Sequence, residues 1–206
     1  MIQIADHQLS GTTFRNAADQ GGVLVDPIGV LVHYTGGPRA ASAIDRLTTK
    51  DEDYLSAHLV IDRDGSATQL VRFDRQAYHA GESSWIRGGV PRRCNTRFFG
   101  IELVNPGYAR DGVRPPWPTI HAAHYHGGPF RDWFLYTEPQ IARLREVLVA
   151  LFDHYQGLRW ILGHEDVSPG RKQDPGPAFP WHLIAGLISG SHTAQPTYRP
   201  VPLAKL

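Results

Sequence analysis

Eleven histidines in a chain of 206 residues make metal ligation the first chemistry to weigh. Imidazole is a common metal ligand and titrates near neutrality. Three side chains stand at the ends of predicted strands or in the Gly/Pro-rich loop after one of them: His33, His164 and Asp174. Two imidazoles and one carboxylate suit a catalytic metal site that keeps a fourth position for water. Their wide spacing is no obstacle, because adjacent strands bring distant segments together, and it is no positive evidence either. A rival set, His121, His124 and His126, has the compact spacing His-x2-His-x-His. It lies in an irregular, aromatic-rich stretch, where loop-packing or surface histidines are the plainer reading. His58, His79, His154 and His182 are ambiguous in the same way.

Glu102 interrupts the apolar run Gly100-Ile101-Glu102-Leu103-Val104. Strand alternation puts Ile101 and Leu103 on one face and Glu102 on the other. A carboxylate there either faces solvent on a half-exposed strand or faces a cleft. In a cleft, partial burial raises its pKa toward that of a useful general base. Lys172 lies two residues before Asp174 and points the same way in an extended segment. Its amine is either a solvated surface charge or a cation placed where an attacked carbonyl oxygen turns negative.

These groups need elements to hold them. Residues 29–35 read as a buried strand closed by Gly36-Gly37-Pro38, with His33 at its C-terminal end, where function collects in α/β folds. Residues 40–47 suit a helix. Residues 57–61 and 67–73 flank Asp62-Arg63-Asp64-Gly65, a hairpin signal, and 100–104 form a third strand stopped by Asn105-Pro106-Gly107. Residues 105–136 carry no clean period, yet hold Trp117, Tyr125, Phe130, Trp133, Phe134 and Tyr136. They predict a long loop that makes an ordered excursion near the site. The strongest helix is 138–155, with Thr137 as N-cap, Gln140 completing a capping box, and Ile141, Leu144, Leu148, Leu151 and Tyr155 as its apolar stripe. A short strand at 158–162 delivers Gly163-His164, 166–180 is loop, and a final short helix spans 181–188. The sum is α/β: a single domain with a central mixed β-sheet flanked by helices. An extension at 1–28 packs on the domain at 29–188, and 189–206 is a tail.

Apolar residues at 41% and charged residues at 20% are ordinary for a soluble globular protein. The net charge of +1 gives no argument for nucleic acid. Arg92-Arg93 and Arg97 could meet a local anion or be a solvated surface. Cys94 is the only cysteine, so no intrachain disulfide can form. The N-terminus lacks the pattern of a signal peptide and no stretch reaches the length of a membrane span, so no membrane insertion is expected.

Seven segments, in order, carry a resemblance. They are Val32-His33-Tyr34-Thr35; Ser56-Ala57-His58-Leu59-Val60-Ile61-Asp62-Arg63-Asp64-Gly65; Tyr78-His79-Ala80-Gly81; Cys94-Asn95-Thr96; Gly100-Ile101-Glu102-Leu103; Gly163-His164; and Ser168-Pro169-Gly170-Arg171-Lys172-Gln173-Asp174-Pro175-Gly176-Pro177. Together they resemble the zinc-dependent N-acetylmuramoyl-L-alanine amidases of the amidase-2 type, related to bacteriophage T7 lysozyme and peptidoglycan recognition proteins. The resemblance implies Zn2+ held by His33, His164 and Asp174, with Glu102 as catalytic carboxylate and Lys172 as its electrostatic partner. It implies peptidoglycan or a muropeptide as substrate, with intact or 1,6-anhydro muramic acid. Tyr34, His58, His79 and Asn95 are expected to bind substrate or support the ligands. Members that bind peptidoglycan without cutting it typically lack a ligand, whereas this chain keeps the whole set. The segment after Gly107 is longer than in small members and would line the glycan groove, pack, or make a dimer contact; oligomeric state stays open. A cytoplasmic enzyme, or a released lytic one without a classical signal peptide, is expected.

Overall fold

The structure, a computed structural model, describes residues 2–50, 52–112, 114–187 and 192–193. Two short strands, β1 (Ile4–Ala5) and β2 (Gln8–Leu9), pair with each other, and β3 (Thr13–Phe14) joins the edge of the main sheet. Then come β4 (Gly29–Tyr34), α1 (Ala40–Thr48), β5 (Leu59–Ile61), β6 (Ala67–Gln69) and β7 (Phe98–Leu103). A separate hairpin, β8 (Thr119–Ala122) and β9 (Arg131–Phe134), precedes the long α2 (Glu138–His154). The chain continues through β10 (Trp160–Gly163), the single-turn α3 (His164–Val167) and β11 (His192–Thr193).

The main sheet runs β11-β10-β4-β7-β5-β6-β3. Its pairs are parallel except β5 with β6, so it is mixed, as the sequence predicts. Alternation divides its residues between two faces. Val30 and Val32 of β4, with Phe99, Ile101 and Leu103 of β7, meet Ile141, Leu144, Leu148 and Leu151 of α2 in the largest core cluster. Leu31, Phe98 and Leu162 pack on the opposite face. Ile44 and Leu47 of α1 cover Val60 on that side. The helices therefore sandwich the sheet, and parallel strands buried on both faces explain the nearly unbroken apolar run of β4. The N-terminal strands are stitched on through buried Gln69, which accepts from the Leu9 amide and donates to the carbonyls of His7 and Val71. No helix among the described residues is long and apolar enough to cross a membrane.

Several local expectations are corrected. Thr137 caps α2 and accepts from the Gln140 amide at 3.4 Å, but Gln140 does not complete a capping box. Its side chain turns inward and donates to the carbonyls of Ile61 and Val104, tying the helix start to the ends of β5 and β7. Residues 105–136 are not loop throughout, because β8 and β9 form a register-matched hairpin inside them. At 181–188 a 3-10 turn, Trp181–Leu183, replaces the expected helix; Trp181 and Ile184 bury at a three-residue spacing that such a turn satisfies. Ile188 and most of the tail lie outside the described residues, while His192 and Thr193 pair in parallel with Trp160 and Ile161.

Leu148 is fully buried between α2 and the sheet. Leu148→Ala should lower unfolding free energy by about 2–5 kcal/mol, from lost transfer energy plus the cavity left behind. Urea titration checks this, and an unshifted midpoint would show that the α2 seam does not hold the domain together.

Candidate metal centre

Three neighbouring strands, β10, β4 and β7, end on one side of the sheet. His33 is the penultimate residue of β4 and lies in register with Glu102 of β7. On its other flank β10 pairs with β4, Gly163 opposite Val32, so the next residue, His164, emerges beside His33. The chain returns through the Gly/Pro-rich loop, and the Glu165 amide donates to the Asp174 carbonyl at 2.9 Å, fixing Asp174 against α3. The result is a buried triangle. His33 Nδ1 lies 2.9 Å from His164 Nδ1 and 2.9 Å from Asp174 Oδ2, and His164 Nδ1 lies 3.0 Å from that oxygen.

The far sides of the rings decide which nitrogens are bare. His164 Nε2 lies 3.0 Å from the Ala80 carbonyl, which can only accept, so Nε2 carries the proton. His79 Nε2 likewise faces the Phe98 carbonyl at 3.2 Å, leaving His79 Nδ1 to accept from His33 Nε2 at 3.0 Å. Both ligand-facing Nδ1 atoms therefore present lone pairs toward each other and toward a carboxylate oxygen. A four-coordinate ion with bonds of about 2.0 Å has donor separations of roughly 3.3 Å. The observed triangle is close to one face of such a site, and its hard and borderline donors suit a divalent metal ion. Among the described residues this is the one group of three or more histidine, cysteine or acidic side chains able to share an ion.

A cleft of about 430 Å3 opens onto the triangle, lined also by Tyr34, Arg46, Tyr78, Glu102 and Lys172. Burial, and then the neighbouring His164, pull the pKa of His33 down to about 4, so its ring is neutral at pH 7, the state that ligates. Glu102 is pushed the other way. Burial and the nearby Asp174 charge raise it to about 8 against the pull of Lys172. Its Oε2 has no hydrogen-bond partner among the described residues.

The remaining expected residues separate by position. Tyr34 lines the cleft. His79 braces His33, and the Asn95 side-chain Oδ1 accepts from the amides of His79 and Ala80, holding the segment that meets both rings. His58 lies behind the cleft and bridges backbone, accepting from the Gly100 amide and donating to the Arg75 carbonyl. The rival set does not converge. His121 is exposed beside Asp132, His124 is buried against Glu165, and His126 reaches the Glu165 carbonyl. Trp117 lies under Arg63, whose guanidinium carbon is 3.8 Å from the ring centre, and Trp133 is 1% exposed; neither lines the cleft. Sequence reading missed Gly100 and Glu165. A Cβ at Gly100 would sit 2.3 Å from the His79 ring, so only glycine admits the imidazole there. Position 100 in a strand gave that signal, since an isolated strand glycine often marks close approach; Glu165 gave none.

The fold and the donor set together define an α/β protein with three buried donors able to share a metal ion near the C-terminal ends of its strands. A family profile described as N-acetylmuramoyl-L-alanine amidase matches residues 25–177, and the chain belongs to this family. It is 36% identical over 140 residues to the 1,6-anhydro-N-acetylmuramyl-L-alanine amidase AmpD of Escherichia coli (strain K12), a match covering 68% of this chain and 61% of that protein. The chain thus spans less than two thirds of the length of that curated relative. A crystal structure of a selenomethionine AmpD derivative superposes with a TM-score of 0.65 at 27% identity, covering 90% of this chain and 99% of that one. A complex of the N-acetylmuramyl-L-alanine amidase AmiD from E. coli with anhydro-N-acetylmuramic acid-L-Ala-D-gamma-Glu-L-Lys gives 0.63 at 25% identity, covering 90% and 65%.

The raised Glu102 pKa makes a stability prediction for the chelator-treated protein. The ordinary glutamate value of 4.5 serves for the unfolded chain, against about 8 in the fold. Between those values the folded state holds a proton that the unfolded state has lost, so stability falls as pH rises. Glu102→Gln lacks this loss. Its melting temperature should gain on the parent progressively from pH 5 to pH 8; parallel curves would mean that the carboxyl titrates normally.

Proposed function

We propose that the chain is a zinc-dependent amidase, its catalytic unit at residues 29–188, that hydrolyses the bond between N-acetylmuramic acid and L-alanine in muropeptides. The observation that carries the reading is the three-donor triangle facing the unpartnered Glu102 carboxylate across one cleft. Family membership and the activities of the relatives support the bond and the sugar, and they favour the 1,6-anhydro form over the intact one. His33, His164 and Asp174 hold the zinc ion. When bound, zinc supplies Lewis acidity, lowering the pKa of a water and polarising an amide carbonyl.

The chain's own groups do the rest. Glu102 takes the proton from the attacking water and passes it to the leaving alanine nitrogen. Its elevated pKa suits both halves of that exchange, since a base that is too weak cannot take the proton and one that is too strong cannot return it. Lys172 holds positive charge where the carbonyl oxygen turns negative. His79 and the Ala80 carbonyl fix the tautomers of the two ligand rings, and Asn95 fixes His79 and Ala80. Tyr34, in the cleft wall, contacts substrate, and His58 supports the floor from behind.

Incubation with 1,6-anhydro and intact muropeptides, with and without chelator, should release free stem peptide only without chelator. Absence of stem peptide from both substrates in the zinc-loaded protein would leave a binding module as the remaining reading. Glu102→Ala should cut turnover by at least about 10²–10³-fold while zinc stays bound, and near-normal turnover would remove Glu102 from the chemistry. His33→Ala should lose zinc or bind it far more weakly in metal analysis; unchanged stoichiometry would move the ion elsewhere.

A further inference from the structure

The β8–β9 hairpin supplies no residue to the cleft, yet its buried histidine grips the segment that carries two of the three donors. His124, between the two strands, is 4% exposed. Its Nδ1 accepts from the His126 amide at 3.2 Å, so the proton sits on Nε2, which donates to Glu165 Oε2 at 2.7 Å. Glu165 is itself 1% exposed and follows the donor His164 directly. The same Oε2 accepts from the Gly176 amide at 3.1 Å, two residues beyond Asp174, while the Glu165 amide donates to the Asp174 carbonyl. One carboxylate thus brackets Asp174 and is set in place by one imidazole.

Neighbouring contacts point the same way. The Tyr125 hydroxyl donates to Asp166 at 2.7 Å, and Asp166 accepts from the Gly163 amide, the residue before His164. The Tyr136 hydroxyl donates to the Pro175 carbonyl at 2.8 Å. The Trp133 ring fills the space where a Gly176 Cβ would stand, 2.7 Å from it, at a φ of +77° that also favours glycine. Residues 163–176 are therefore held from behind by side chains that do not line the cleft.

We propose that His124 and Glu165 are positioning residues that set the separation of His164 and Asp174, and through it metal affinity and coordination geometry. This rests on the zinc reading of the triangle. Removing the imidazole leaves a buried carboxylate with one amide partner, and the carboxylate must move toward a new one. Any such movement carries Asp174 and His164 with it, because both adjoin Glu165 through the backbone.

The test strips the full chain of metal and titrates it with zinc against a chromophoric chelator, then records the visible spectrum of the cobalt(II) form. His124→Ala and Glu165→Ala should weaken zinc binding by roughly 10–100-fold, the usual cost of losing support behind a ligand, and should shift the cobalt bands. Glu165→Gln should restore most of both, since one amide oxygen in the place of Oε2 serves both His124 and Gly176. His121→Ala, on the same hairpin but exposed, should leave both readings unchanged. Wild-type affinity and spectrum in His124→Ala overturn the proposal. If that variant does not fold, Glu165→Asp, which keeps the carboxyl group but withdraws it by one methylene, should bind at least tenfold more weakly, and wild-type binding there overturns it equally. Failure of the unaltered chain to bind zinc would instead remove the reading on which this one rests.

Discussion

Two imidazole nitrogens and a carboxylate oxygen held 2.9–3.0 Å apart in a buried place repel one another unless a cation or a proton lies between them. The fold works against that repulsion from every side. Carbonyl oxygens of Phe98 and Ala80 keep protons on the outer nitrogens, so the inner ones cannot escape by changing tautomer. The β10-β4-β7 pairing fixes where two of the donors emerge, and the Glu165 amide fixes the third. The hydrogen bonds behind the rings therefore aim the donors as much as the donors' own chemistry does.

The two faces of the sheet divide the labour. On the α2 side the contacts are almost wholly apolar, and that face supplies stability without specifying chemistry. On the other face the same strands bury Leu31, Phe98 and Leu162 low down and turn polar only near their C-terminal ends, at His33 and Glu102. Period-two alternation lets one strand serve both purposes, since Val32 and Ile101 point into the core beside residues that point into the cleft.

That division also explains what could be read from the sequence. β4, β7 and α2 announce themselves because burial imposes a period on them, and the donors were legible because they sit in short, ordered motifs around such elements. The β8–β9 hairpin was not legible. Its strands are only partly buried, apart from Trp133 and Phe134, so they carry no clean alternation, and His121, His124 and His126 read as one cluster although the fold sends His121 to Asp132 and the other two to Glu165. Gln140 misled for a related reason. Its spacing from Thr137 fits a capping box, but two buried carbonyls at the ends of β5 and β7 lay within reach and competed for the same side chain. Of the tautomer-fixing groups behind the two rings, His79 was legible through its motif, whereas the Ala80 and Phe98 carbonyls left no mark, because any residue brings one.

The charges of the site bear on how Glu102 can work near neutrality. Burial and Asp174 both favour its protonated form, which alone would leave it as an acid rather than a base at pH 7. Lys172 opposes them, and any cation held by the triangle adds to Lys172, because it screens the Asp174 charge and brings positive charge of its own to the same cleft. In the proposed reaction the carboxylate would therefore serve as a base only with the triangle charged, and its Oε2, unpartnered among the described residues, would turn toward water once ionised. A glutamate with the same sequence neighbours but a saturated hydrogen-bond shell would be held ionised regardless of the triangle. Glu102 stands in register with His33, so a cation held by the triangle would act on its base strength through charge.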